Sequence, residues 1–116
     1  MKMNHGSAER REYLRELKAL TPSEREAILE RDNRTCQIPD CGSHVSLEVH
    51  HIDGSCLECT REAYTDPLNC ITTCHHCHSG VSALERNYDA IYINLVRPYL
   101  KKRAAANSAM KKPRSP

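Results

Sequence analysis

Five consecutive residues, Cys74-His75-His76-Cys77-His78, carry two thiols and three imidazoles, all of them soft or borderline metal ligands. Cys36-x4-Cys41 and the tandem His50-His51 stand upstream, with Cys56-x2-Cys59 between. Thiol pairs this close let one tight turn present two sulfurs to one ion, and two such turns complete a tetrahedral site. Three pairs compete for that role. Cys36, Cys41, Cys74 and Cys77 are the expected zinc set, because a helix end precedes Cys36 and a strand-to-helix junction holds Cys74. Cys56 and Cys59 sit in a long loop, where a second metal site stays open. Cys70 alternates onto a strand face and reads as a small core residue. An imidazole that titrates near neutrality serves as a metal ligand or as a general base. The chain therefore offers two chemistries, a closed thiolate site that holds the fold and an open imidazole site that acts on something.

The elements that must position these groups are short. Tyr13, Leu14, Leu17 and Leu20 recur at helical spacing and predict an amphipathic helix over residues 9–20. Thr21-Pro22-Ser23-Glu24 has the form of a capping box with proline at the first helical position. A second helix is expected from there to about Arg31, with Ala27, Ile28 and Leu29 inward, ended by Asp32-Asn33. Residues 46–49 alternate as a strand leading into His50-His51-Ile52, and residues 68–73 read as a second strand. Between them residues 53–67 read as a long polar loop. Cys74 to His78 form a knuckle opening a helix toward Arg86. Residues 87–102 look helical, with Pro98 expected to kink or end the helix. Beyond Arg103 the Ala/Ser/Lys/Pro composition reads as disorder.

A chain of 116 residues with seven Cys, five Tyr and neither Trp nor Phe buries little core, so a staple is expected. No apolar leader marks the N-terminus and no run is long enough to span a membrane. The expectation is a reducing cytoplasm, where such cysteine patterns read as metal sites and not as disulfides. Net charge is +2, yet residues 90–116 hold seven basic and no acidic residues, which leaves −5 for the rest. A basic segment on a mildly acidic body points to a polyanionic partner. Arg97, Lys101, Lys102 and Arg103 are the expected nucleic-acid contacts.

The run Leu47-Glu48-Val49-His50-His51-Ile52, then Leu68-Asn69, then Cys74-His75-His76-Cys77-His78 resembles the HNH endonucleases, the ββα-metal or His-Me finger nucleases. Asn69 precedes His78 by nine residues, a spacing typical of that family. The resemblance covers residues 27–84, about half the chain. It implies a small α+β fold: a ββα-metal, treble-clef-like core with structural zinc over residues 32–86. An N-terminal helical region (1–31) and a C-terminal helix with a basic tail (87–116) would flank it.

By that resemblance His51 is the general base that activates water, and Asn69 fixes the loop and the His51 ring. His50 and His78 hold a catalytic divalent ion (Mg2+, Mn2+, Ni2+ or Zn2+). Neighbouring strand residues point to opposite sides, which agrees with one ligand and one base at a tandem His. His75 and His76 are expected to face solvent or phosphate. The implied activity is hydrolysis of phosphodiester bonds in double-stranded DNA, by nicking or double-strand cleavage, with low or partner-given specificity. Small free-standing members resemble phage proteins that assist terminase in DNA packaging, which implies a terminase as a further partner. One departure stands out: Val81 occupies the position where many members carry a phosphate-binding Lys. The rival reading is a non-catalytic zinc-dependent DNA-binding or adaptor module, which keeps the thiolate site and the basic segment. A CxxC redox protein fits poorly, since no thioredoxin-like βαβ pattern surrounds either pair.

Overall fold

The computed structural model of the chain describes residues 20–53 and 60–110. The helix expected over residues 9–20 lies, but for the non-helical Leu20, outside the described residues, as do Cys56 and Cys59. Thr21 caps α1 (Pro22–Arg31) as its sequence predicts. Thr21 Oγ1 accepts the Glu24 N–H at 3.1 Å and Glu24 Oε1 accepts the Thr21 N–H at 2.8 Å, so two otherwise orphaned donors are satisfied together. Helix α1 buries Ile28, Leu29 and Arg31, while Ala27, expected inward, is exposed. It stops at Asp32 because Asn33 and Arg34 turn left-handed, at φ 57 and 50.

Strands β1 (Leu47–His51) and β2 (Cys70–Cys74) form a two-stranded antiparallel sheet that pairs Leu47 with Cys74, Glu48 with Thr73, His50 with Ile71 and His51 with Cys70. Alternation sends Glu48, His50, Ile71 and Thr73 to one face and Val49, His51, Cys70 and Thr72 to the other. The second strand starts two residues later than its sequence suggests. Asp66 Oδ1 accepts the Leu68 N–H at 2.8 Å and Pro67 pre-sets the backbone, so Pro67–Asn69 wind into a 3₁₀ turn first. The expected loop likewise contains one helical turn, α2 (Arg61–Tyr64), capped by Thr60 and burying Tyr64. Helix α3 (His75–Arg86) follows β2 without a break.

The C-terminal helix departs most from expectation. Pro98 does not end it. Residues Tyr92–Val96 wind as a π-helix just before the proline, and α4 (Arg97–Met110) continues beyond it. The wider winding accommodates a ring that would otherwise meet the carbonyl one turn back. Nor does order end at Arg103. Ala104 is fully buried with Ile52, Ile71 and Leu100 in the apolar core, against which Ile38 and Val96 pack.

Polar ties complete the closure. The Arg31 guanidinium clamps Asp32 through Nε and Nη2 at 2.8 and 3.0 Å, and donates to the carbonyls of Pro67 and Cys70 at 2.7 and 2.8 Å. Asp32 also accepts the Thr72 N–H at 2.9 Å and Asn107 Nδ2 at 2.8 Å. The Thr72 carbonyl accepts the Gln37 N–H at 3.0 Å, so residues 32–37 cover the outer edge of β2, which would otherwise invite another strand. One buried carboxylate thus joins α1, β2 and α4. No helix among the described residues is long and apolar enough to cross a membrane.

Candidate functional site

The four expected thiols converge. Cys36 and Cys41 lie on a tight turn in which Asp40 and Gly42 adopt left-handed φ of 66 and 65. Cys74 ends β2, and Cys77 lies in the first turn of α3. Their sulfurs all fall within 4.8 Å of one another, near enough to hold one metal ion such as zinc. Bonds of about 2.3 Å in a tetrahedron separate sulfurs by about 3.8 Å, and Cys41 Sγ lies 3.8 Å from Cys74 Sγ. Cys74 also serves as the N-cap of α3, its sulfur accepting the Cys77 N–H at 3.5 Å. That bond helps to lower the Cys74 thiol to about 7, the direction that favours a thiolate ligand. Burial pushes Cys36 and Cys77 up. Among the described residues this is the one group of three or more ligand side chains so assembled.

Two of the three expected histidines meet on the sheet face that carries α3. His50 is 2 % exposed, and its ring lies edge-on to that of His78, with centroids 5.3 Å apart. Burial, then the charges of His78 and His51, pushes the His50 imidazole down to about 3, so it is neutral at physiological pH. His50 Nε2 lies 2.8 Å from the Tyr92 hydroxyl, which donates to the Ile52 carbonyl at 2.5 Å. His78 Nδ1 donates to Glu48 Oε1 at 2.6 Å, and His75 Nδ1 donates to Glu48 Oε2 at 2.7 Å. Partial burial pushes the Glu48 carboxyl up, but the hydrogen bonds and charge of the two imidazoles outweigh it and hold the group below its ordinary value. Thr73, directly across the sheet from Glu48, has a buried hydroxyl with no hydrogen-bond partner.

His51 goes to the opposite face. Its ring stacks on Tyr64 with centroids 4.1 Å apart, and Nδ1 lies 3.3 Å from the Tyr64 carbonyl and 3.7 Å from the Cys70 sulfur. Burial raises Cys70 to about 12 and Tyr64 to about 12, so both stay protonated. Asn69 does not touch the His51 ring. Its Nδ2 donates at 2.9 Å to the same Tyr64 carbonyl, and its Oδ1 accepts the Asp53 N–H at 2.9 Å. The expected restraint of His51 is therefore indirect, through a shared acceptor.

Of the expected phosphate contacts, Lys101 and Lys102 are exposed, whereas Arg97 lies 3.6 Å from Asp53 and Arg103 donates to Gln37 Oε1 at 2.9 Å. Lys101 lines an open cleft of about 480 Å³ with Asp53, Asp66, Leu68 and Asn69. Val81 is buried and lines a separate apolar pocket with Leu95, Tyr99 and Leu100, so this position on α3 packs inward.

Glu48, Tyr64 and Tyr92 are neighbours of the candidate residues that sequence reasoning missed. A signal existed for Glu48: His75 and His78 stand three apart, on one helix face, and Glu48 shares a strand face with His50. Nothing local announced either tyrosine. Compared with protein-family models, with curated proteins and with solved structures, the chain matches none.

Proposed function

We propose that the protein is a metal-dependent endonuclease of the HNH type, hydrolysing phosphodiester bonds of double-stranded DNA. Its ββα core would be stapled by zinc at Cys36, Cys41, Cys74 and Cys77. The observation that carries the reading is the meeting of His51 Nδ1 and Asn69 Nδ2 at the Tyr64 carbonyl. A carbonyl only accepts, so this contact favours the His51 tautomer protonated on Nδ1, with the lone pair on Nε2. That tautomer suits a general base, which takes the proton of the attacking water at Nε2. Asn69 holds the acceptor and the Asp53 backbone together, and the Tyr64 ring fixes the plane of the imidazole.

The donor set on the other face fits a divalent ion. His50 is neutral and buried, and His78 gives its Nδ1–H to a carboxylate, the pairing that orients metal-binding histidines. Imidazole donors suit Mn2+, Ni2+ or Zn2+ better than Mg2+. A divalent ion held by His50 and His78 would stabilise charge on the leaving oxygen. Lys101 and Lys102 offer phosphate contacts from α4, in place of the lysine that Val81 replaces on α3.

The test is relaxation of supercoiled plasmid by the zinc-loaded protein with Mn2+, Ni2+ or Mg2+. Cleavage should stop on addition of EDTA, and His51→Ala should abolish it while retaining zinc and fold. The absence of cleavage with every ion would sink the proposal. It would favour the second reading, a zinc-dependent DNA-binding or adaptor module, to which the four-thiol group is equally suited.

A further inference from the structure

We propose that Tyr92 is a positioning residue that locks His50 in the tautomer protonated on Nε2, and so assigns Nδ1 as the atom His50 offers to an ion. The inference rests on the proposed role of His50 as a ligand, but its geometry stands apart from that role. The Tyr92 hydroxyl has a single proton and two close neighbours, the Ile52 carbonyl oxygen at 2.5 Å and His50 Nε2 at 2.8 Å. The carbonyl can only accept, so the phenolic proton goes to it. The hydroxyl oxygen is then an acceptor toward the ring, and His50 Nε2 must carry a hydrogen. The reverse assignment would set the phenolic oxygen and the carbonyl oxygen 2.5 Å apart with no proton between them. Ile52, Tyr92 and His50 are 0, 1 and 2 % exposed, and such a repulsion between two buried acceptors has no solvent to relieve it.

The placement of Tyr92 is itself specific. It is the first residue of the π-helical segment Tyr92–Val96, an uncommon winding that recurs at functional sites. Its ring meets that of His50 edge-on, with centroids 6.0 Å apart. The pairing parallels that of His78 with Glu48: each imidazole on this face has one nitrogen committed to a neighbour and the other assigned the lone pair. Partners of this kind set ring orientation and tautomer at metal sites.

The experiment is a two-bond 1H–15N correlation spectrum of the full-length zinc-loaded chain, which reads the protonation of each ring nitrogen, followed by titration with Mn2+ alone. In the wild type His50 should show a pyrrole-type Nε2 and a pyridine-type Nδ1. In Tyr92→Phe the ring should populate both tautomers, and Mn2+ affinity should fall about 10- to 100-fold. A wild-type His50 protonated on Nδ1 would overturn the inference without any variant having to fold. An unchanged tautomer and unchanged Mn2+ affinity in a folded Tyr92→Phe would overturn it as well. If the tautomer responds to Tyr92→Phe but neither protein binds Mn2+, the inference about Tyr92 is upheld, and the ligand role of His50 in the nuclease reading fails instead.

Discussion

Replacing Asp32 by alanine should destabilise the protein about as much as truncating a fully buried core side chain such as Leu100. The carboxylate is 1 % exposed and accepts four hydrogen bonds, two from Arg31 and one each from the Thr72 backbone and the Asn107 amide. The alanine variant leaves Arg31 buried with its charge unopposed, though still bonded to the Pro67 and Cys70 carbonyls. Removing one member of a buried ion pair costs about 3–5 kcal/mol, because the survivor keeps its desolvation penalty without its partner. Against a total stability of roughly 5–15 kcal/mol that loss is large, and it corresponds to a fall in Tm above about 10 °C.

Two comparisons separate charge from packing. Asp32→Asn recovers only part of the loss, since every partner of the carboxylate is a donor and the amide turns an NH2 toward one of them. The double variant Arg31→Met/Asp32→Leu leaves no buried charge, but it orphans both the Thr72 N–H and the Cys70 carbonyl, each at about 1–3 kcal/mol. Urea denaturation of the metal-loaded proteins measures all three. A loss under about 1 kcal/mol for Asp32→Ala would refute the reasoning.

Zinc should bind through the four cysteines, so Cys41→Ser should lose it by metal analysis; chelation should strip amide-exchange protection from α3 and spare the Thr72 amide, which Asp32 holds. The Arg61 hydrogen bond comes first in holding Glu24 down to about 2, from an ordinary 4.5, with the Thr21 cap adding to it. A depressed carboxyl stabilises the fold above its unfolded value and loses that contribution as pH falls toward 2. Glu24→Gln should therefore flatten the acid limb of stability between about pH 4.5 and 2 in a denaturation series. Truncation after Leu100 is a poor test of DNA binding, because Ala104 and Asn107 hold the fold. Lys101→Ala with Lys102→Ala should instead lower the salt slope of DNA affinity by about one for each of the two that meets a phosphate, with Tm unchanged.

What was legible in the chain was local. Thr21-Pro22-x-Glu24 announces a helix start because a capping box is closed within four residues. The cysteine pairs announce a metal turn because spacing alone brings two sulfurs together. The order strand, strand, helix around His50 and Cys74 follows from alternation that switches to helical spacing. The misread parts depend on partners far along the chain. Residues 104–110 look like a solvated tail until Asn107 is seen reaching Asp32, 75 residues away. Glu48 reads as the polar half of an alternating strand until α3 brings His78 to it across 30 residues. Asp32 reads as a helix stop, and it is one. Its second role needs β2 and α4 in place, which no window of sequence contains.

The division of labour between polar and apolar packing explains why the thiols and the imidazoles share one helix. Helix α3 fully buries one side chain, Val81, and half-buries Ala83 and Leu84, so polar anchors share in fixing its direction. There are two such anchors. At its N-terminus Cys74 is the last residue of β2, the cap of the helix and one of the four thiols. Within the first turn, His75 and His78 grip the two oxygens of Glu48 on β1. An ion at the thiols would draw the Cys36–Cys41 turn and the start of α3 together, and that start decides where His78 points. A carboxylate clasp alone, with His75 and Glu48 both substantially exposed, is open to competition from water and screened by salt. A metal held by the four thiols would thus be the anchor that makes the His78–His50 approach persistent.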